Sequence, residues 1–583
     1  MCGIAGYLLR TPRGEEHGMR AVAGKMAATL HHRGPDANGT WADPRSGIAL
    51  GHSRLSIQDL SEAGAQPMTS SDGRYVISYN GEIYNFRALS SELQSLGHAF
   101  QGHSDTEVML ASFLQWGVEG ALRRFQGMFA FALWDSRERT LTLARDRVGK
   151  KPLYWGWCGD TLLFGSELKA LRAHADFSAE IDRDALALFI QHAWLPGPRS
   201  IFTGIEKLPG GCWLQIDAEG AQTIKRYWSA SEAALAGEHR PFEGSLGEAA
   251  DALENLLLDA VSKRMIADVA LGSLLSGGYD STTITALMQS LSDKPVQTFT
   301  IGFDEKRYDE SAHARAISGH LGTDHTELMV SPQDTLDIIP DLPSLYDEPF
   351  ADPSQIPTFI VSRLARSQVT VALSGDGGDE LFAGYGRYRR PGRDLARWAR
   401  LPGFLHAPVA RLLTGCAKGG WNLLQPADGA TSMPGWRRSI AKLDKNVLAL
   451  QATDPVNLFA AQRARIGNGA DYVHGAQSSG LALDGLSEAG ALAEPMQGMM
   501  LLDFRNYLVD DVLVKVDRAS MGVSLEVRAP FLDHRVIELA WSLPLGLRYG
   551  PGGGKVVIRE MLQRYVPREL TERPKSGFGV PIA

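Results

Sequence analysis

At 583 residues the chain is longer than one domain usually runs, and at least two separate cores are expected. Hydrophobic residues at 44% and charged residues at 22% exclude a fibrous or wholly disordered chain. Its 59 lysines and arginines stand against 67 acidic residues, so the net charge of -8 gives no broad basic surface for nucleic acid, and no apolar run reaches the roughly 18 residues of a membrane span.

The opening MCGIAGYLLR has no basic region ahead of its short apolar run and does not read as an export signal, so the expected location is the cytoplasm. From Met1 to about Trp228 short apolar segments alternate with turn residues, as in Tyr75 to Tyr79, Met128 to Trp134, Leu141 to Arg145 and Leu162 to Gly165. That pattern predicts a strand-rich domain. Ser229 to Gly247, rich in Ala, Glu and Gly with little periodicity, reads as an inter-domain linker. Beyond it, apolar strands at Val269 to Leu275, Val296 to Phe303 and Val369 to Ser374 alternate with helical stretches such as Thr282 to Leu291. Such alternation implies a parallel sheet with covering helices. Arg390 to about Met500 reads as mostly helical with Gly/Ala/Ser-rich connections such as Gly467 to Gly490, and the basic stretch Arg387 to Arg411 as a solvated helix face.

Four cysteines, Cys2, Cys158, Cys212 and Cys416, form neither a disulfide framework nor a Cys-x-x-Cys zinc spacing. Three read as apolar fillers. Cys2 differs by position: removal of Met1 would put a thiol and a free α-amine on one residue. An amine with a pKa of about 7.7 to 8.0 is neutral often enough to take the thiol proton, so nucleophile and base come together without a histidine.

The segments behind Cys2 fit that chemistry. Asn80-Gly81-Glu82, after the apolar strand, offers an amide and a glycine N–H as an oxyanion hole. Arg54, with Leu55 and Ile57 beside it, suits an amino-acid carboxylate, and Asp105 suits an ammonium. Singly, each has a plainer reading: a turn at Asn80-Gly81, a surface salt bridge at Arg54, a helix N-cap at Asp105. Together, behind Met-Cys-Gly-Ile-Ala-Gly, they resemble the class II glutamine amidotransferases. The resemblance extends to His31-His32-Arg33-Gly34-Pro35-Asp36, Gly64-Ala65-Gln66-Pro67, Ala144-Arg145-Asp146-Arg147 and Lys151-Pro152-Leu153-Tyr154. It implies an N-terminal-nucleophile αββα sandwich that hydrolyses glutamine through a thioester on Cys2, with Arg54, Leu55, Ile57, Asn80, Gly81, Glu82 and Asp105 around the substrate.

Further on, Ser276-Gly277-Gly278-Tyr279-Asp280-Ser281 lies between a strand and a helix, where glycine N–H groups and the helix N-terminus favour a phosphate. No Gly-x-x-x-x-Gly-Lys precedes it, so it is not a Walker loop. It resembles the PP-loop of ATP pyrophosphatases. A second loop, Ser374-Gly375-Asp376-Gly377-Gly378-Asp379-Glu380, carries carboxylates suited to magnesium and pyrophosphate, and Asp280 and Asp379 are the metal candidates. The second half is thereby similar to asparagine synthetases, a Rossmann-like α/β domain with added helices. The resemblance assigns Leu274 and Ile301 to the adenine pocket and Lys555 to transition-state stabilisation, and it extends to Lys515, Asp517 and Arg518 and to Ser524 through Asp533.

The expected organisation is a glutaminase domain over 2–228, a linker over 229–247 and an ATP-pyrophosphatase domain over 248–583 whose C-terminus is cut short. The substrates expected are glutamine, ATP with Mg2+, and a carboxylate acceptor; a homodimer is consistent with the family. Asparagine-forming relatives carry glutamate where Asp376 stands and leucine where Tyr279 stands, so the acceptor is either aspartate or a larger acid such as a sugar uronate. A nucleotide-binding regulatory relative is the alternative of another class.

Overall fold

The computed structural model describes residues 2–217, 219–305, 309–398, 400, 402–405, 408–413, 415, 447–450, 452, 454–466, 468–477 and 483–572. Cys416, much of the 390–500 region and the final Lys575–Ala583 segment lie outside the described residues.

Twelve strands build the first half: β1 (Gly3–Leu9), β2 (Ala37–Asp43), β3 (Ile48–Arg54), β4 (Met68–Thr69), β5 (Tyr75–Ile83), β6 (Gly127–Asp135), β7 (Thr140–Arg145), β8 (Tyr154–Cys158), β9 (Thr161–Gly165), β10 (Ile205–Lys207), β11 (Cys212–Ile216) and β12 (Gln222–Arg226). They form two six-stranded sheets ordered β10-β8-β9-β1-β3-β2 and β12-β11-β7-β6-β5-β4. Side chains alternate between faces with the period of two that extended chains impose. Ile4 and Leu8 therefore meet Val76, Ala130 and Trp134 between the sheets, while Ala5 and Tyr7 meet Met19, Ala23 and Met26 of the helix Glu16–Ala28 outside. On the other outer face, Tyr75, Ile77, Tyr79, Phe129 and Phe131 pack under the helices Phe86–Ser95 and Asp105–Arg124. The result is the four-layer αββα sandwich. Cys158 and Cys212 are buried, as their filler reading requires.

The second half holds β13 (Leu271–Leu274), β14 (Gln297–Phe303), β15 (Asp324–Val330), β16 (Val371–Leu373) and β17 (Glu526–Arg528), all parallel and ordered β15-β14-β13-β16-β17. Helices cover both faces, as parallel strands require. Leu253, Leu257, Ile284 and Leu287 lie on one face, and Ile356, Ile360 and Val361 of the helix Gln355–Arg366 on the other. In such a sheet the chain reverses direction between the first and fourth strands, and ligands bind beyond the strand ends at that switch point. Here the switch lies between β13 and β16.

The stretch expected as a linker forms a helix, Ala230–His239, capped by Ser229. Ala230 and Ala234 are buried in the second core, and a Cβ on Gly237 would lie 2.6 Å from the Trp541 backbone, so this helix packs directly on the helix His534–Ser542. Small residues permit that approach and also erase the hydrophobic periodicity by which helices are recognised. The 386–398 basic stretch likewise is only partly solvated: Arg387 is ion-paired to Asp503 at 2.7 Å and lies over Tyr385.

A buried ionic seam joins the halves. The Arg33 guanidinium, fully buried, donates to the Cys2 carbonyl at 3.2 Å, to Glu167 at 2.7 Å, and to both carboxylate oxygens of Asp517 at 2.7 and 3.1 Å. Arg518 reaches Glu167 at 2.7 Å, Lys207 reaches Glu348 at 2.9 Å, and the Gly197 N–H donates to Asp510 at 2.9 Å. Burial works against the Arg33 charge, but Asp517 and Glu167 outweigh it and raise its pKa; burial likewise opposes ionisation of Asp517, and Arg33 with Lys151 holds it below the usual carboxylate range. Leu55, Ile57, Tyr84, Met128 and Val148 of the first half belong to the same apolar cluster as the second core. Replacing Arg33 by Met would leave Asp517 only Lys151, at 3.7 Å. Arg33→Met is expected to cost about 3–5 kcal/mol, the penalty for breaking one partner out of a buried pair, seen as a lower urea midpoint by tryptophan fluorescence.

Candidate active site

The first constellation surrounds Cys2, which precedes β1 and is buried. Its nitrogen donates to Asn80 Oδ1 at 3.0 Å, and its thiol points to the Leu55 carbonyl at 4.0 Å. Burial pushes the thiol pKa up. Asn80 and Gly81 sit inside β5 rather than in a turn, because pairing with β6 continues through Ile83 opposite Gly127. Gly81 is required there: a Cβ would stand 2.2 Å from the Met128 carbonyl. Asn80 is fully buried, and among the described residues its Nδ2 has no hydrogen-bond partner. An unpaired buried amide donor beside a thiol is a costly arrangement that an incoming carbonyl oxygen would relieve.

Asp105 opens the helix Asp105–Arg124, but Ser104 caps it. The Asp105 carboxylate instead accepts from the Tyr79 hydroxyl at 2.7 Å and the Ile83 N–H at 2.8 Å, and burial raises its pKa to about 6. Arg54 makes no surface salt bridge. It donates to the carbonyls of Ser61, at 2.9 Å, and Asp59, bracing the turn that carries Gly64. Glu82 accepts from Gln58 at 2.7 Å and faces Arg528 of β17 at 3.2 Å. Leu55 and Ile57 are buried beside the seam. The structure thus brings Cys2, Leu55 and Asn80 into direct contact, ties Asp105 to β5 through Tyr79 and Ile83, and turns Arg54 toward its own loop.

The second constellation stands at the switch point. Ser276 to Gly278 follow β13, and Asp280 lies in the first turn of the helix Tyr279–Ser290. Gly277 has φ +75°, which its glycine permits, and Ser276 Oγ meets Ser281 Oγ at 3.0 Å. The second loop follows β16; Ser374 Oγ donates to Asp376 Oδ2 at 2.7 Å. The two loops press together: a Cβ on Gly375 would lie 2.7 Å from Asp280 Cβ, and one on Gly378 2.6 Å from Asp280 Cγ. Into this junction Lys555 extends its ammonium, 2.5 Å from both Asp280 Oδ2 and Asp379 Oδ1. Burial opposes the charge, but the two aspartates outweigh it and hold the lysine pKa above its usual value. The Lys555 backbone adopts φ +64°, a strained conformation for a side-chain-bearing residue, at the start of the helix Val556–Leu562.

Ile301 is buried in the core behind the loops and Leu274 half-buried against the same cluster. Tyr279 turns to stack under the Arg559 guanidinium at 4.9 Å. Glu380 does not join the aspartates: it accepts from Tyr385 at 2.8 Å, and burial raises its pKa to about 8. Lys515 pairs with Asp352 at 2.7 Å. Among the described residues no cluster of three or more His, Cys, Asp or Glu forms a metal cage; Asp280 and Asp379 offer carboxylate oxygens, both here paired to Lys555.

Sequence reasoning passed over Lys150, whose ammonium lies 3.9 Å from Asp376, and Arg528, which joins Glu82 to Glu526. The doubled cation in Gly149-Lys150-Lys151-Pro152 was the available signal for the first, and the matched segment Ser524 through Asp533 contained the second without giving it a role. Between the halves, Tyr84, Met128, Val148 and Lys150 face Ala529, Leu532 and Asp533 across a narrow crevice. No helix of the described residues is long and apolar enough to cross a membrane.

Comparison with known proteins matches the two halves to two families. A glutamine amidotransferase domain family matches residues 1–228, and an asparagine synthase family matches residues 252–583. Asparagine synthetase [glutamine-hydrolyzing] 1 of Bacillus subtilis is 31% identical over 584 residues, spanning 100% of this chain and 87% of its own length. A putative asparagine synthetase [glutamine-hydrolyzing] of Mycobacterium tuberculosis is 34% identical over 604 residues, spanning 100% and 88%. Among solved structures, the glutamine phosphoribosylpyrophosphate amidotransferase of B. subtilis matches 56% of this chain and 65% of its own at 16% identity and a TM-score of 0.29. With both halves matched on one polypeptide, the chain belongs to the glutamine-hydrolysing asparagine synthetase family of ATP-using, glutamine-dependent carbon–nitrogen ligases.

Proposed function

We propose that this protein converts L-aspartate to L-asparagine, taking nitrogen from glutamine released at Cys2 and spending ATP to AMP and pyrophosphate at the switch-point loops. The observation that carries this is the pairing of an unsatisfied amide donor beside a buried thiol with a two-aspartate, one-lysine junction at a nucleotide-binding sheet edge.

In the first reaction the Cys2 α-amine, freed by removal of Met1, takes the thiol proton, and the sulfur attacks the glutamine amide carbon. Asn80 Nδ2, with the Gly81 N–H, receives the developing oxyanion. Collapse expels ammonia and leaves a thioester, which water cleaves to glutamate. Asp105 holds the substrate ammonium, and Arg54, Leu55, Ile57 and Glu82 bound the remainder of the pocket. In the second reaction Ser276, Gly277, Gly278 and Ser281, with Ser374 and Gly375, cradle the phosphates, and Leu274 and Ile301 support the adenine. The aspartate carboxylate attacks the α-phosphorus, giving an acyl-adenylate and pyrophosphate. Asp280 and Asp379 would hold Mg2+, which neutralises phosphate charge when bound, and Lys555 stabilises the charge that builds on the transferred group. Asp376 lies on the acceptor side. Ammonia crossing the seam then displaces AMP, and a water-poor passage protects both the adenylate and the ammonia.

Cys2→Ala is expected to abolish glutamine-dependent amide formation while leaving ammonia-dependent formation intact, followed as a one-dalton decrease from the acid to the amide by mass spectrometry. Loss of both together, or no amide from aspartate, overturns the assignment. Asp105, with its pKa raised to about 6, is ionised above that pH and neutral below it. Glutamine binding to the Cys2→Ala protein is therefore expected to weaken as pH falls through 6, with proton release on binding below that point. Calorimetry in two buffers reads both effects, and Asp105→Asn removes the inflection.

A further inference from the structure

We propose that Lys150, a residue of the glutaminase half, completes the acceptor side of the synthetase site by binding the non-reacting carboxylate of an amino-acid acceptor. The inference rests on the aspartate assignment above and narrows what the acceptor must carry.

Lys150 is only 5% exposed, and among the described residues its ammonium makes no hydrogen bond. Among those residues the counter-charge beside it is Asp376 Oδ2 at 3.9 Å, beyond hydrogen-bonding reach. Lys555, by contrast, contacts two aspartates at 2.5 Å. A buried ammonium left this short of partners is costly, and an anion brought in by a ligand would supply what is missing.

The lysine is held where it is by its own loop. The N–H groups of Lys150 and Lys151 both donate to the Asp146 carboxylate at 2.9 Å, and the Arg145 guanidinium grips the Gly149 and Lys151 carbonyls at 2.7 Å. Lys150 also borders two narrow seam crevices, one facing Leu532 and one facing Leu513. Asp376 is fixed by Ser374 on the loop that abuts Asp280. A cation from one half and a carboxylate from the other thus stand side by side next to the phosphate loop.

Their chemistry matches a zwitterionic head: the α-carboxylate on Lys150 and the α-ammonium on Asp376, with the side-chain carboxylate directed to the nucleotide. A uronate has no ammonium to offer Asp376, so this pair selects for an amino acid. Because Lys150 comes from the glutaminase half, the acceptor pocket is complete only when the two halves are docked.

The test compares L-aspartate with 3-aminopropanoate, which is aspartate without its α-carboxylate, in the full-length protein with ammonia as nitrogen donor and pyrophosphate release as readout. Lys150→Met is expected to lower kcat/KM for aspartate about 10- to 100-fold, mainly through KM, the range for losing a charge-assisted hydrogen bond, and to leave 3-aminopropanoate within about twofold. Lys150→Arg should recover most of the loss. Lys150→Gln should behave as Lys150→Met, which separates charge from packing. An equal fall for both acids, or unchanged aspartate kinetics, overturns the proposal. Wild-type silence on both acids is a different failure: it sinks the aspartate assignment and this inference with it.

Discussion

One buried guanidinium ties the catalytic geometry together. Arg33 touches the Cys2 carbonyl, Glu167 beside the first sheet, and Asp517 on a helix of the second half, so the candidate nucleophile and the synthetase scaffold share a single planar set of donors. Five fixed N–H groups impose direction as well as charge, which a lysine would not. Around it the seam is ionic where the halves must hold register and apolar where Met128 and Val148 meet the second core. That division suits a boundary that holds two cores in fixed register.

The charge pattern separates two kinds of lysine. Lys555 sits between two aspartates in a strained backbone conformation, a residue whose place is over-determined by its surroundings. Lys150 has a well-braced loop and an under-supplied ammonium. The first arrangement organises a site before any ligand enters; the second becomes balanced only once something binds.

Much of this was legible in the residues. Short apolar segments bounded by turn residues, such as Tyr75–Tyr79, and the strand-then-loop pattern before Ser276 and Ser374 marked strands of each half and both loops, because buried apolar runs and glycine-rich turns leave local signals. What stayed hidden was mostly non-local. Asn80-Gly81 looks like a turn in isolation and becomes a strand because β6 pairs through it. Nothing in the sequence shows that Arg54 is also braced by the Ser61 and Asp59 carbonyls of its own loop. The helix Ala230–His239 escaped notice because its contacts depend on small side chains, which carry no amphipathic stripe.

That short helix also bears on how the protein came to be assembled. Were the halves beads on a flexible tether, either could be exchanged for a homologue by recombination at the join. With alanines of the connector built into one core, and Leu55, Ile57 and Tyr84 of the other half lodged against it, a crossover there would strip apolar surface from both sides. The two halves therefore fit as a matched pair, and exchanging one alone would leave the apolar face of the other without its partner.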